Sequence, residues 1–117
     1  MKLAAEIYTV SRAFPADERF GLTSQLRRAA VAVPSNLAEG SARSSRADYR
    51  RFVSIARGSM AEVDTELSLA EMLGFVSASD LTAIRERADH VGRMLTNLFK
   101  SLDVTDPRTP TREPRES

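Results

Sequence analysis

The residues best suited to acid–base or metal chemistry are a few carboxylates and one histidine. Glu62 and Glu66 lie four residues apart, with Asp64 between them, and this spacing places both glutamates on one face of a helix. His90 is the single histidine and follows Asp89. Such groups hold two metal ions in helical bundles when Glu-x-x-His pairs complete the site.

The sequence lacks the residues that would complete such a site. No Glu-x-x-His pair is present, and adjacent helical residues such as Asp89 and His90 point in different directions. The chain also lacks a Gly-x-Ser-x-Gly motif, a P-loop and a dinucleotide-binding glycine pattern. We therefore predict a protein without catalytic residues, metal or cofactor. A metal-dependent enzyme that uses Glu62, Glu66 and His90 is kept as the contrasting hypothesis.

Composition restricts the class of protein further. The 117 residues are 42% hydrophobic and 28% charged, which fits one globular domain. Cysteine is absent, so we expect a reducing, cytoplasmic setting without disulfides. No apolar run approaches eighteen residues, so we predict no membrane partner.

The charges are distributed unevenly along the chain, although the net charge is only +1. Eight arginines and two acids lie between Arg19 and Arg57, whereas five acids and no base lie between Gly58 and Asp80. Clustered guanidinium groups bind phosphates and release counterions. We predict a nucleic-acid-binding surface formed by Arg27, Arg28, Arg43, Arg46, Arg50 and Arg51. A solvated face paired with acids of another helix or subunit stays open as the alternative.

Apolar spacing of three and four residues predicts four helices. Helix one, from Leu3 to Phe14, should stop at Pro15, and helix two should run from Leu22 to Gly40. Helix three should run from about Arg46 to Leu73, capped by Ser45 and ended by Gly74. Its apolar face is Phe52, Ala56, Met60, Val63, Leu67 and Ala70, and Ile55, Leu69 and Met72 lie off that face. Helix four, capped by Ser77 or Ser79, should carry Leu81, Ile84, Ala88, Val91, Leu95, Leu98 and Leu102.

These elements predict an all-α fold, an antiparallel up-and-down four-helix bundle over residues 1–102. Residues 103–117 contain three prolines and almost no apolar residue, so we predict a disordered tail. Pro34 falls inside helix two, yet the apolar spacing continues on both sides of it. We therefore expect a kinked but continuous helix. Asn36 and Glu39, three residues apart, should bond to each other or across an interface.

Residues 14–43, FPADERFGLTSQLRRAAVAVPSNLAEGSAR, carry a resemblance to a known family. The segment resembles the signature region of four-helix bundle proteins encoded by intervening sequences of bacterial 23S ribosomal RNA genes. The accessory variability determinant of diversity-generating retroelements is similar. The most distinctive part is the group Pro34, Ser35, Asn36, Glu39 and Gly40.

The resemblance implies a non-enzymatic bundle that assembles as a ring-like homopentamer. It also implies binding to RNA or DNA and association with a reverse transcriptase in the retroelement members. The alternative function is a scaffold that binds a partner such as a reverse transcriptase without touching nucleic acid. Helix one is shorter than is usual for the resemblance, which would expose apolar surface that a neighbouring subunit could bury.

Overall fold

The structure, a computed structural model, describes residues 2–103 and is built from helices. The helices are α1 (Lys2–Ser11), α2 (Leu22–Ser41), α3 (Arg46–Met72) and α4 (Ala78–Ser101). One 3₁₀ turn, Ala16–Glu18, lies between α1 and α2, and no strand occurs within the described range. The all-α, four-helix prediction is confirmed. The predicted tail lies outside the described residues apart from Asp103.

Successive helices run in opposite directions. Near the end of α2, Gly40 packs against Phe52 near the start of α3. Near the start of α4, Arg85 pairs with Glu71 near the end of α3, with 2.8 Å between the nitrogen and the carboxylate oxygen. The bundle measures 53 × 24 × 19 Å along its three principal axes. Short connections between long helices produce this up-and-down arrangement.

Serine caps and one glycine set the ends of α3 and α4. The Ser45 side chain accepts a hydrogen bond from the backbone N–H of Asp48 at 3.0 Å. The Ser77 side chain accepts a hydrogen bond from the backbone N–H of Asp80 at 3.1 Å. Of the two predicted caps, Ser77 and Ser79, it is therefore Ser77 that caps α4. Beyond α3, Gly74 has a φ of +79°, a left-handed conformation that glycine adopts without steric cost.

The buried residues match the predicted apolar faces of the helices, with one correction on α3. The residues predicted on its apolar face are buried except Phe52, which is half-buried. The neighbouring Val53 is fully buried instead. The stripe prediction assigned the phenylalanine to the core because its spacing from Ala56 fits a helix. In the fold, Phe52 lies at the edge of the core beneath charged side chains.

The first helix is shorter than predicted and covers one half of the bundle. It ends at Ser11, and residues 12–14 form tight turns in which Phe14 N–H donates to the Ser11 carbonyl at 3.1 Å. This turn buries the Phe14 ring against Phe75, with 5.8 Å between the ring centroids. Ten helical residues span about 15 Å, against about 40 Å for the 27 residues of α3. The start of α3 and the end of α4 therefore lie beyond the reach of α1.

The second helix continues through Pro34, as predicted. Asn36 Nδ2 donates to the carbonyl oxygen of Ala32 at 2.8 Å, while Glu39 pairs with Arg43. The bend at Pro34 stays a prediction. Among residues 2–103, no helix is both long and apolar enough to cross a bilayer.

Candidate nucleic-acid interface

Most of the predicted arginines gather where the connection between α2 and α3 meets the last turn of α4. We call this surface the arginine end. It comprises five arginines and two phenylalanines: Arg43, Arg46, Arg50, Arg51, Arg57, Phe52 and Phe99. Helix α3 contributes most of these side chains at its start, and α4 contributes Phe99.

Two arginines of α3 hold the C-terminal end of α4. Arg46 Nη2 donates to the carbonyl oxygen of Ser101, and Arg50 Nε donates to that of Phe99 at 3.2 Å. The last carbonyls of a helix have no partner within the helix, and cations near them are stabilised by the helix dipole. These guanidinium groups therefore join α3 to α4 as well as adding positive charge.

Each phenylalanine of the arginine end lies beneath two guanidinium groups. The guanidinium carbons of Arg50 and Arg57 lie 3.7 and 4.8 Å from the centroid of the Phe99 ring. Those of Arg43 and Arg51 lie 4.9 and 4.5 Å from the centroid of the half-buried Phe52 ring. Stacking on an aromatic face orients a planar guanidinium while leaving its charge in place.

Carboxylates offset part of this positive charge. The nitrogen–oxygen distances are 2.6 Å for Arg43–Glu39, 3.4 Å for Arg51–Asp48 and 3.9 Å for Arg50–Asp103. The Arg43 and Arg51 side chains remain 40% and 57% exposed. Exposed pairs of this kind are weak, so a phosphate group could compete with each carboxylate for its arginine.

The other two predicted arginines lie away from this end. Arg27 Nε donates to Ser11 Oγ at 2.8 Å, and its guanidinium lies 4.7 Å from the Tyr8 ring centroid, so this arginine attaches α1 to α2. Arg28 is exposed on α2 and attracts Glu66 of α3. The structure thus divides the six predicted arginines into four at the arginine end and two elsewhere.

The distinctive segment of α2 serves packing. Pro34 and Asn36 are half-buried, whereas Ser35 and Glu39 are exposed. Gly40 is buried, and a Cβ atom built there would lie 2.7 Å from the Cβ atom of Phe52. Glycine at this position lets α2 and α3 approach closely, which places Arg43 above Phe52.

The model of the 23S rRNA-intervening sequence protein family matches residues 1–97. The chain belongs to this family. No curated protein matches the sequence. A crystal structure of a protein of unknown function from the S23 ribosomal protein family of Bacteroides thetaiotaomicron is similar, with a TM-score of 0.75 and 20% identity. The alignment covers 85% of this chain and 93% of that one, and a likeness at this identity supports the fold alone.

The carboxylates considered for metal chemistry form no metal site in the described part of this family member. No group of three or more His, Cys, Asp or Glu side chains is placed to hold an ion within residues 2–103. Burial raises the pKa of Glu66, with a further rise from Glu62 and an opposing effect of Arg28. Burial likewise raises the pKa of Asp64, and Asp89 adds to the rise while Arg85 opposes it. His90 is exposed.

Sequence reasoning missed the two aromatic rings of the arginine end. Phe52 was assigned to the core, and Phe99 was not selected because it lies next to Leu98 outside the apolar stripe of α4. The available signal was the excess of arginines close to Phe52 in the sequence, at position 51 beside it and across the connection at position 43. Nothing local in the sequence indicates that Phe99 joins them.

Proposed function

We propose that the protein is a non-enzymatic, homo-oligomeric bundle that binds RNA or DNA through the arginine end. Its biological setting would be that of an accessory protein of an rRNA intervening sequence or a retroelement. The assembly that the family resemblance implies is a pentamer. The nucleic-acid and assembly parts of the proposal depend on different surfaces and are tested separately.

The gathering of five arginines at one end of the bundle carries the nucleic-acid proposal. Three carboxylates pair with them, so the surface keeps an excess of positive charge. The segment from Gly58 to Asp80, which carries five acids and no base, lies further along α3 and ends in the first turn of α4. This separation leaves the arginine end favourable to phosphates.

A gel-shift assay with a structured RNA and a duplex DNA tests this proposal. We expect binding at low salt that weakens steeply as salt is added. The double variant Arg43→Gln/Arg51→Gln should bind more weakly and show a shallower salt dependence. Arg12→Gln/Arg19→Gln, which removes the same charge from the opposite end, is the matched control and should bind normally. Absence of binding by the unmodified protein to both nucleic acids at low salt would exclude the proposal.

Exposed apolar residues along α3 support the homo-oligomer. Ile55 and Leu69 are 43% and 41% exposed, and their separation of fourteen residues places them on one helix face. Met72, at the end of the same helix, is 82% exposed. Val31 of α2 is also 41% exposed. These side chains are the candidate contacts with a second chain, since apolar residues rimmed by polar ones occur at protein interfaces.

Light scattering after size exclusion tests the assembly. We expect a mass that is a multiple of the 12.9 kDa chain, five chains if the pentamer is correct. Leu69→Glu should reduce the mass because a carboxylate would be buried in the interface. Met94→Glu, a change of the same kind on α4 at a residue that is 50% exposed, is the control. A monomer for the unmodified protein would exclude the homo-oligomer.

A protein scaffold without nucleic-acid binding is the second candidate. It is favoured by the contacts of Arg46 and Arg50, which already bind carbonyl oxygens of α4 and so have a structural role. Charge reversal at Arg43 and Arg51 would then disturb a pull-down of a partner protein, such as a reverse transcriptase. Gel shifts with nucleic acid would be negative for every variant, which separates this candidate from the first.

A further inference from the structure

We propose that the arginine end selects unpaired nucleotides over duplex, by stacking bases on guanidinium planes that Phe52 and Phe99 hold in place. The inference rests on the proposed function and specifies the form of nucleic acid that the site takes. It follows from three properties of the surface. The guanidinium groups lie against aromatic rings, the rings are half-buried, and carboxylates neutralise part of the positive charge.

Contacts within the protein hold the guanidinium groups of Arg50 and Arg51 against aromatic rings before any ligand arrives. Arg50 is held by its stacking on Phe99 and by its hydrogen bond to the Phe99 carbonyl, at 3.7 and 3.2 Å. Arg51 is held by the Phe52 ring at 4.5 Å and by Asp48 at 3.4 Å, yet 57% of its side chain is exposed. A planar group that is already oriented loses less conformational entropy on binding. Unpaired bases stack on such guanidinium planes and on aromatic rings.

The charge of the surface argues against tight binding to duplex. A duplex hides the faces of its bases and presents mainly phosphates to a surface of this kind, so its affinity depends on neutralised phosphates and released counterions. Glu39, Asp48 and Asp103 compete with phosphates for three of the five arginines. Stacking is not weakened in this way, because a carboxylate binds the N–H groups at the edge of a guanidinium and does not occupy its face. Unpaired nucleotides gain binding free energy from stacking and from phosphate contacts, whereas a duplex gains it from phosphate contacts alone.

Fluorescence anisotropy with the full chain distinguishes the two forms. The probes are a labelled oligouridylate of about sixteen nucleotides, a length that suits single-strand sites, its deoxy counterpart, and each strand annealed to its complement. At one low salt concentration we expect the single strands to bind about tenfold more tightly than the duplexes, the effect of one stacked base. Arg51→Lys keeps the charge and removes the plane, and Phe52→Leu keeps an apolar side chain and removes the ring.

Each variant should weaken single-strand binding about tenfold and leave duplex binding unchanged. Arg19→Lys and Phe20→Leu are matched controls, because Arg19 lies 4.7 Å from the Phe20 ring centroid at the opposite end of the bundle. They should bind as the unmodified protein does. If Phe52→Leu fails to fold by circular dichroism, the exposed Arg51→Lys carries the test.

Four outcomes would overturn the inference, and they separate it from the proposed function. Equal affinity for single strands and duplexes, or unchanged single-strand binding by Arg51→Lys, removes the stacking inference and leaves nucleic-acid binding intact. Equal losses in the Arg19 and Phe20 controls would move the site away from the arginine end. Absence of binding to every probe would remove the proposed function itself.

Discussion

Arg50 contacts Phe99 twice, through the ring and through the backbone. Its guanidinium carbon lies 3.7 Å from the ring centroid, and its Nε donates to the Phe99 carbonyl oxygen at 3.2 Å. The two residues are 49 positions apart, so one side chain joins the first turns of α3 to the last turn of α4. This half of the bundle lies beyond α1, and long-range contacts of this kind hold it together.

Replacing Arg50 should therefore destabilise the bundle. Arg50→Ala removes a cation–π contact and a charge-assisted hydrogen bond, and we expect a loss of about 1–2 kcal/mol in the free energy of unfolding. Urea denaturation followed by circular dichroism measures the change. Arg51→Ala is the control, since Arg51 pairs with Asp48 of its own helix, and it should stay within about 0.5 kcal/mol. Equal losses in the two variants would contradict the assignment of Arg50 to helix packing.

The close approach of α2 to α3 depends on Gly40. In Gly40→Ala the new Cβ atom would lie 2.7 Å from the Phe52 Cβ atom and 3.0 Å from Tyr49 Cδ1, so the helices must move apart. We expect a lower melting temperature despite the higher helix propensity of alanine.

Gly92 provides the matched comparison for Gly40. It lies within α4, and a Cβ atom there would meet no atom within 4 Å. Gly92→Ala should therefore stabilise the protein by up to about 1 kcal/mol, the propensity difference between the two residues. Thermal melts of both variants check the pair, and a stabilised Gly40→Ala would show that the two helices are not in tight contact.

The carboxyl group of Asp64 should make stability depend on pH. Its pKa is raised by burial and by Asp89, with Arg85 opposing, so the folded state disfavours the ionised form. The resulting penalty is present at neutral pH and is lost as the pH falls and the carboxyl takes up a proton. Asp64→Asn should raise the melting temperature at pH 7 by about 1–2 °C, a small shift because solvent screens the group.

That advantage of Asp64→Asn should disappear in acid, where the carboxyl of the unmodified protein is protonated. Glu86→Gln, at an exposed position of α4, removes one carboxylate in the same way and is the matched control. Melting curves recorded from acid to neutral pH test whether the effect of Asp64→Asn on the melting temperature has this pH dependence. A destabilising effect of Asp64→Asn at pH 7 would mean that the attraction to Arg85 outweighs burial.

Pro34 should affect assembly more than folding. An interior proline costs roughly 3 kcal/mol in an ordinary helix because it removes a backbone donor and crowds the preceding turn. Pro34→Ala should keep or raise the melting temperature while it straightens α2 and alters the mass measured by light scattering. An unchanged oligomer mass would refute the role of the proline in assembly.

The local features of the fold could be predicted from the sequence. Apolar residues at spacings of three and four predicted the helices, because that spacing matches the 3.6-residue period. Ser45 and Gly74 were placed correctly at the ends of α3, since a cap and a left-handed residue act on neighbouring backbone atoms. The clustering of arginines along the chain also predicted that Arg46 and Arg50 would share a surface.

The partners of those side chains were decided by the tertiary structure. Spacing alone assigned Phe52 to the core, whereas the fold places Val53 there and leaves Phe52 beneath two arginines. The contact of Arg50 with Phe99 joins distant segments, so it depends on where α4 ends against α3. Helical period and capping are set by residues within about one turn of each other. The meeting of two helices is set by the packing of the whole core, and it determined which arginines bind the protein itself and which remain exposed.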